Sequence, residues 1–416
     1  MTMLNAITIS IGDELLSGKT IDSNNAFISQ QLADLGIIVS KKLIIGDVNE
    51  NITKALNWSL SEADVVTITG GLGPTHDDIT KVALCEYFDV GLKTYPELLE
   101  KLKERFARRG FKFAKSNESQ AEYPENAKIL KNSVGTAQGM HFEHEGSHLF
   151  VMPGVPREMR AITTEEIVPI LSELTGAITE HADIHAQGIP ESQLYELTKP
   201  ILDEYEGVKV AYLPKHFIVS IRVSFDSEYA GQNSKKLDEV YSRVQALLPE
   251  NVYGRDGDLL ASVVGDQLKL KNATIATAES CTGGLIASLI TDISGSSDYF
   301  NTGYVTYAND TKMSMLGVSQ ATLDVHGAVS EETVSEMLSG TLERSGSDYA
   351  IAVSGVAGPT GGSEEKPVGT VYIGVANEQG KHVKRYQFGT ERIMNKVLSA
   401  HVALNMARLF ISGKIV

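Results

Sequence analysis

The chain is poor in cysteine, in positive charge and in long apolar runs, and each shortage closes off a class of protein. Of 416 residues only two are cysteine, Cys85 and Cys281. Two thiols so far apart make no disulfide framework, and they suit a reducing, cytoplasmic compartment. Lys and Arg number 37 against 53 Asp and Glu, a net charge of −16. A surface of that sign repels a phosphate backbone, so nucleic acid is not an expected partner. Small anionic substrates stay open, because a local cradle of backbone N–H groups outweighs a distant net charge. No uncharged apolar run approaches the roughly 20 residues of a membrane span, so no membrane partner is expected either. The opening MTMLNAITISIGDE lacks a basic stretch ahead of its apolar run and does not read as a secretion signal.

What is present is ordinary globular material, 42% hydrophobic and 22% charged. One core seldom grows past roughly 250–300 residues, so two or three domains are expected. The first region, 1–170, alternates β-branched runs (7–11, 37–45, 65–69) with amphipathic helical spacing (22–35, about 52–60, 79–88). That order predicts a parallel sheet covered by helices. A charged helix over 95–109, a hairpin over 142–152 and a helix over 158–174 follow. The middle, 176–252, reads as a small α+β unit: strands over 181–187, 208–213 and 217–225, helices over 191–205 and 235–248. It lacks a Gly-x-x-Gly loop flanked by basic residues, so RNA binding is not assigned to it. The last region, 257–416, restarts an α/β pattern, with strands over 274–278, 302–307, 349–354, 370–376 and 382–388. Its helices are expected over 282–291, 330–344 and 391–410.

In open parallel sheets ligands sit outside the carboxyl ends of the strands. Two glycine loops of the first region occupy that position, GDELLSGKT (12–20) and GGLGPTHDDIT (70–80). If strands one and three are neighbours, both loops line one crevice. Gly70, Gly71, Gly73 and Thr75 then offer backbone and hydroxyl donors to a phosphate. Asp13, Asp77 and Asp78 would hold a divalent cation bridging it. The first loop misses the P-loop spacing, with five residues rather than four between Gly12 and Gly18, two of them acidic. The bland alternative is turn chemistry, with Asp77 or Asp78 capping the next helix. His76 reads as an ordinary loop residue. His141, His144 and His148 look clustered, but period-two counting along a hairpin separates His141 from the other two.

The last region carries a sharper pattern. Ser280 and Cys281 stand where a strand turns toward a helix, which predicts a hydroxyl or thiol at the helix's positive end. Thr282, Gly283 and Gly284 allow a tight turn and close substrate approach. The next strand ends in Tyr307 and, five residues on, Lys312. A lysine kept neutral in a dry site deprotonates a serine, with Tyr307 relaying the proton or orienting the amine. The third strand ends in Ser354 and a loop containing Gly355, Gly358, Gly361 and Gly362, suited to a phosphate. Singly, each part has a dull reading: Ser280 as an N-cap, Lys312 as a solvated helix residue, the glycines as a mobile turn. Together on three strand ends they point to catalysis. Cys281 competes with Ser280 as nucleophile, and spacing alone leaves the two open.

At these motifs the chain resembles the CinA family of competence/damage-inducible proteins, over nearly its whole length. GDELLSGKTIDSN (12–24), GGLGPTHDDIT (70–80), NESQAEYPENAKILKNSVGTAQGM (117–140) and MPGVPREM (152–159) resemble its N-terminal domain. That domain is similar to molybdopterin-binding proteins of the MoaB/MogA type, which implies a three-layer α/β fold. GIPESQL (188–194) resembles the family's KH-type middle domain. AESCTGG (278–284), GYVTYANDTK (303–312) and GVAGPTGG (355–362) resemble its nicotinamide mononucleotide deamidase domain. The resemblance implies hydrolysis of nicotinamide mononucleotide to nicotinate mononucleotide and ammonia, with no cofactor. Ser280 would be nucleophile, Lys312 general base and Tyr307 its partner. Arg392, in Gly-Thr-Glu-Arg where the family has Gly-Asp-Arg, would meet the phosphate. For the N-terminal domain it implies an ADP-ribose pyrophosphatase using a divalent metal (Mg2+, Mn2+ or Co2+), with K+ as a further candidate ion. The same resemblance implies a homodimer.

Overall fold

The structure, a computed structural model, describes residues 4–75, 78–108, 110–175, 181–215, 217–225 and 233–415. They form two compact units, one ending at Thr175 and one beginning at His181. Asp77 and His76 lie outside the described residues. Among the described residues no helix is long and apolar enough to cross a membrane.

The first unit is built on β1 (Asn5–Ile11), β2 (Ile38–Ile45) and β3 (Val65–Thr69). A small pair, β4 (Leu92–Thr94) and β5 (Glu122–Pro124), stands beside the main sheet. β6 (Lys128–Leu130), β7 (Gly139–His144) and β8 (Ser147–Met152) complete a six-stranded sheet of order β2-β1-β3-β8-β7-β6. β1 pairs in parallel with both β2 and β3, so the two glycine loops do leave neighbouring strand ends. β3 is buried at all five positions, because helices cover both faces of the sheet. One face packs Ile7, Ile9, Leu56 and Leu149, and the other Ile28, Phe150, Met159 and Leu171.

The hairpin β7–β8 corrects the histidine reading. His141 pairs with Phe150 and Glu143 with His148, so paired numbers sum to an odd value. Parity therefore inverts across the two-residue turn, and His141, Glu143 and His148 share one face. His144 is on the other, against Tyr87 and Phe88. The three shared-face side chains bring their ligand atoms within 4.8 Å. Yet His141 Nε2 and His148 Nδ1 are 3.0 Å apart, with ring centroids at 5.3 Å and planes within 14°. The nitrogens thus point at one another along the line of the rings. That is the geometry of one shared proton, not of lone pairs converging on a metal. Burial, with His148 adding to it, lowers the His141 pKa to about 4 and keeps that ring neutral.

The second unit begins with β9 (His181–Gln187), β10 (Val208–Lys215), β11 (Ile218–Phe225) and β12 (Val252–Arg255), in the order β10-β11-β9-β12. β11 alternates half-buried and buried residues, since helices Glu191–Leu202 and Asn233–Leu247 cover one face only. The rest carries β13 (Ile275–Glu279), β14 (Phe300–Val305), β15 (Tyr349–Gly355), β16 (Thr370–Ala376) and β17 (Lys381–Gln387). Their order is β14-β13-β15-β16-β17, with β14, β13 and β15 parallel, β16 antiparallel to β15, and β17 antiparallel to β16. Hence the loops after β13, β14 and β15 meet at the carboxyl end of these strands. The middle region does not stand apart from this sheet. Arg408, buried in the last helix Arg392–Ile411, donates to the carbonyls of Glu250 and Val252, and Lys414 to that of Pro249. Helix Leu260–Lys271 precedes β13, a segment the sequence pattern had not singled out.

Candidate active site

The site of the second unit starts from where β13 stops. Its last residue, Glu279, is 1% exposed. Its carboxylate accepts from the backbone N–H of Ile286 at 3.1 Å and of Ala287 at 2.8 Å. Helix Leu285–Thr291 therefore begins five residues after Ser280, and its positive end is occupied by Glu279. This corrects two expectations, a helix from 282 and a hydroxyl seated on its dipole. The strand's own carboxylate reaches that end first. Ser280 is not an N-cap either. Gly284 holds that place at φ 90°, a conformation that favours glycine.

Ser280 is held instead by β15, donating its N–H to the Val353 carbonyl at 2.9 Å. Its Oγ lies 3.0 Å from Lys312 Nζ. Lys312 is 1% exposed, far from a solvated helix residue. It sits in helix Asn309–Leu316 with its amine turned inward, donating to the carbonyls of Thr306 (2.8 Å) and Tyr307 (3.4 Å). Burial lowers its pKa, opposed only by the neighbouring Cys281. A neutral amine can give its two protons to those carbonyls and aim its lone pair at the serine hydroxyl. Burial lifts the Cys281 thiol to a pKa of about 12, which disfavours a thiolate there. Of the two nucleophiles that spacing left open, it is the Ser280 hydroxyl that stands at hydrogen-bond distance from the lysine amine.

The other predicted residues divide. Tyr307 is 58% exposed, and its phenol meets Arg392 at 2.8 Å rather than the lysine. Its carbonyl rather than its phenol touches Lys312, so the phenol is not placed to relay a proton, and such orienting of the amine as Tyr307 does comes from its main chain. Arg392 also donates to the Gly358 carbonyl at 2.8 Å, tying the third loop to the last helix. The Ser354 hydroxyl is buried and gives its proton to the Ala328 carbonyl at 2.6 Å, so it has none left for a phosphate. Thr282 is fully buried, with its hydroxyl unpartnered. Gly283 and Gly284 line the turn, and Gly355, Gly358, Gly361 and Gly362 the facing loop. Sequence reading missed Lys396. A methyl group placed on Gly283 would lie 3.7 Å from its Nζ. The signal was there, one helical turn past Arg392, which puts both cations on one face.

Glu279, also missed, is a positioning residue. Glu279→Gln keeps one acceptor for the two N–H groups, whereas Glu279→Ala orphans both. We expect Glu279→Ala to cost about 1–3 kcal/mol of stability in urea melts, with Glu279→Gln recovering most of it.

In the first unit a cavity of about 380 Å3 opens between the two glycine loops. Gly70, Gly71 and Gly73 line it with Glu14, Asp47, Asp78 and Glu158. Gly71 (φ 66°) must be glycine, since a Cβ there would strike the Thr80 hydroxyl. Asp78 Oδ2 accepts from Thr75 N–H (2.8 Å) and from the Thr75 hydroxyl (2.5 Å), closing the loop on itself. Asp78 does not cap helix Thr80–Phe88, whose N-cap is Ile79. Asp13 is not brought to the cavity: its carboxylate turns toward Gly46, and its N–H donates to Asp47. Its neighbour Glu14 lines the wall instead, because the one-turn helix Asp13–Leu16 rotates successive side chains by about 100°. Lys81 was missed as well. It is buried beside this loop, donates to the Ser119 and Glu122 carbonyls, and is lowered to a pKa of about 8 by burial.

The comparisons with known proteins follow the same division. Residues 7–173 match the model of a probable molybdopterin binding domain, 181–254 that of the damage-inducible protein CinA KH domain, and 258–411 that of the CinA C-terminal domain. A CinA-like protein of Chloroherpeton thalassium is 42% identical, over 96% of this chain and 97% of its own. The chain belongs to the CinA family. A CinA-like protein of Salinibacter ruber is 38% identical over 98% of this chain and all of its own. The crystal structure of the competence/damage inducible protein CihA from Agrobacterium tumefaciens is 42% identical, covering 35% of this chain and 90% of that one at a TM-score of 0.35.

Proposed function

We propose that this CinA protein hydrolyses the carboxamide of nicotinamide mononucleotide to nicotinate mononucleotide and ammonia. The observation that supports this reading is the buried Lys312 amine 3.0 Å from the Ser280 hydroxyl. Lys312 takes the hydroxyl proton as Ser280 Oγ attacks the amide carbon. The proton then passes to the leaving nitrogen, and ammonia departs. Water hydrolyses the acyl-serine, with the same amine as base. Arg392 and Lys396 suit the substrate's phosphate, and the reaction needs no metal.

For the first unit the proposal is a metal-dependent ADP-ribose pyrophosphatase. Among the described residues its lining side chains offer oxygen donors, a set that fits a hard divalent cation such as Mg2+ or Mn2+. Asp78, with Glu14 and Asp47, would hold the ion. Such an ion keeps several waters and shares the substrate's phosphates, so the carboxylates need not form a closed cage. When bound it supplies charge neutralisation and an activated water. The second reading, a pterin- or nucleotide-holding module without turnover, rests on the loop closed by Thr75 and Asp78. The experiment is AMP release from ADP-ribose. Asp78→Ala or a chelator should abolish it and leave ammonia release intact. AMP release unaffected by both would remove the assignment. The proposed setting is a cytoplasmic homodimer in pyridine-nucleotide salvage.

A further inference from the structure

A second cleft, of about 800 Å3, opens in the second unit where β9, β10 and β11 face β17 and the last helix. It shares no residue with the Ser280 constellation, and its size is that of a small-molecule site. Its walls are largely apolar, from Ile218, Met406 and Leu409 among others. One polar group inside it is out of place. Gln187 is 2% exposed, and neither its carboxamide oxygen nor its nitrogen has a partner. Its neighbour Asn251 donates to the Gln187 main-chain carbonyl at 3.0 Å and not to the side chain. A buried carboxamide left with both ends unpaired is costly.

A second observation concerns Phe217. It stands in the two-residue loop joining β10 and β11 with φ 67°, where glycine or asparagine would be unstrained. Its ring is 53% exposed, and with Tyr386 it lines the cleft. An aromatic held against its own backbone preference at a cavity is strain stored at a site. Among the described lining residues the acidic and basic charges offset one another, Lys215 and Lys384 against Glu191 and Glu250, with His382 beside them. The cleft therefore has no net demand for a polyanion, and a flat neutral ring suits it better.

We propose that this cleft binds a planar heterocycle carrying an N–H donor beside an acceptor, its edge paired with the Gln187 carboxamide and its face against Phe217 or Tyr386. Gln and Asn recognise the amino edge of adenine in this bidentate way. A nicotinamide carboxamide offers the same pair of groups. The inference is independent of the two hydrolytic activities.

Calorimetric titration of the full chain with free adenine and with nicotinamide tests it. Free bases lack the phosphates that the glycine loops suit. Saturable one-site binding of at least one base is expected, and which base binds identifies the source. Gln187→Leu should weaken it at least about tenfold, while leaving the melting temperature unchanged or higher. Phe217→Gly, which relieves the strained backbone, should weaken it too. If adenine binds, 1,N6-ethenoadenine, with its amino edge blocked, should not. No saturable binding of either base, or binding that Gln187→Leu and Phe217→Gly leave untouched, overturns the proposal. So does a Gln187→Leu variant that melts higher but binds as before, since the residue would then be only a structural orphan.

Discussion

Ser280→Ala is expected to lower ammonia release from nicotinamide mononucleotide by at least about a thousandfold, the scale on which loss of a serine nucleophile is felt. The argument is geometric. Among the described residues Ser280 Oγ is the hydroxyl bonded to the Lys312 amine, and burial raises the pKa of the adjacent thiol to about 12. Cys281→Ala should therefore retain most of the activity, and iodoacetamide should not abolish turnover. Formation of AMP from ADP-ribose should be spared in Ser280→Ala. Loss of both activities in that variant would mean one shared site, and loss with Cys281→Ala alone would transfer the role to the thiol.

Lys312→Met should produce a comparable loss, and Ser280→Ala/Lys312→Met should be no worse than either single variant, because the pair acts as a unit. Lys312→Arg should not rescue, since a guanidinium stays charged and cannot accept the proton. The pH profile gives the sign. Burial sets the folded pKa of Lys312 below the ordinary 10.5, and only the neutral amine is a base. Turnover should then rise with pH along a limb whose midpoint lies below that value. Stability should move the same way. Between the folded and unfolded pKa values the unfolded chain binds the extra proton, so stability from this group grows as pH rises through that window. Lys312→Met should flatten this slope in thermal melts while removing activity. A flat activity profile in the unmodified protein would defeat the lysine base.

Much of the fold was legible because hydrophobic periodicity reports burial directly. The apolar runs at 7–11, 65–69 and 349–354 became strands β1, β3 and β15, whereas the neighbouring of β1 and β3, only a condition in the sequence, came from the strand pairing itself. Legibility ended where a side chain's direction depends on a neighbour distant in sequence. Glu279 reads as one more strand residue until its carboxylate is seen holding Ile286 and Ala287. Asp13 and Glu14 are equally acidic, and only the rotation of one helical turn decides which faces the cavity. His141 and His148 seem to diverge until strand register puts their nitrogens 3.0 Å apart.

Residue order alone established a chain of α/β regions flanking a small α+β unit, with chemistry concentrated on loops at strand ends. Periodicity and glycine placement are local properties, and they survive without coordinates. Packing alone decided that the Lys312 amine is buried, that burial raises the Cys281 thiol pKa, that the Tyr307 phenol meets Arg392 rather than the lysine, and that an unpaired Gln187 lines a second cleft. Desolvation and hydrogen-bond partnership depend on atoms brought together across tens or hundreds of residues, and no spacing along the chain encodes them.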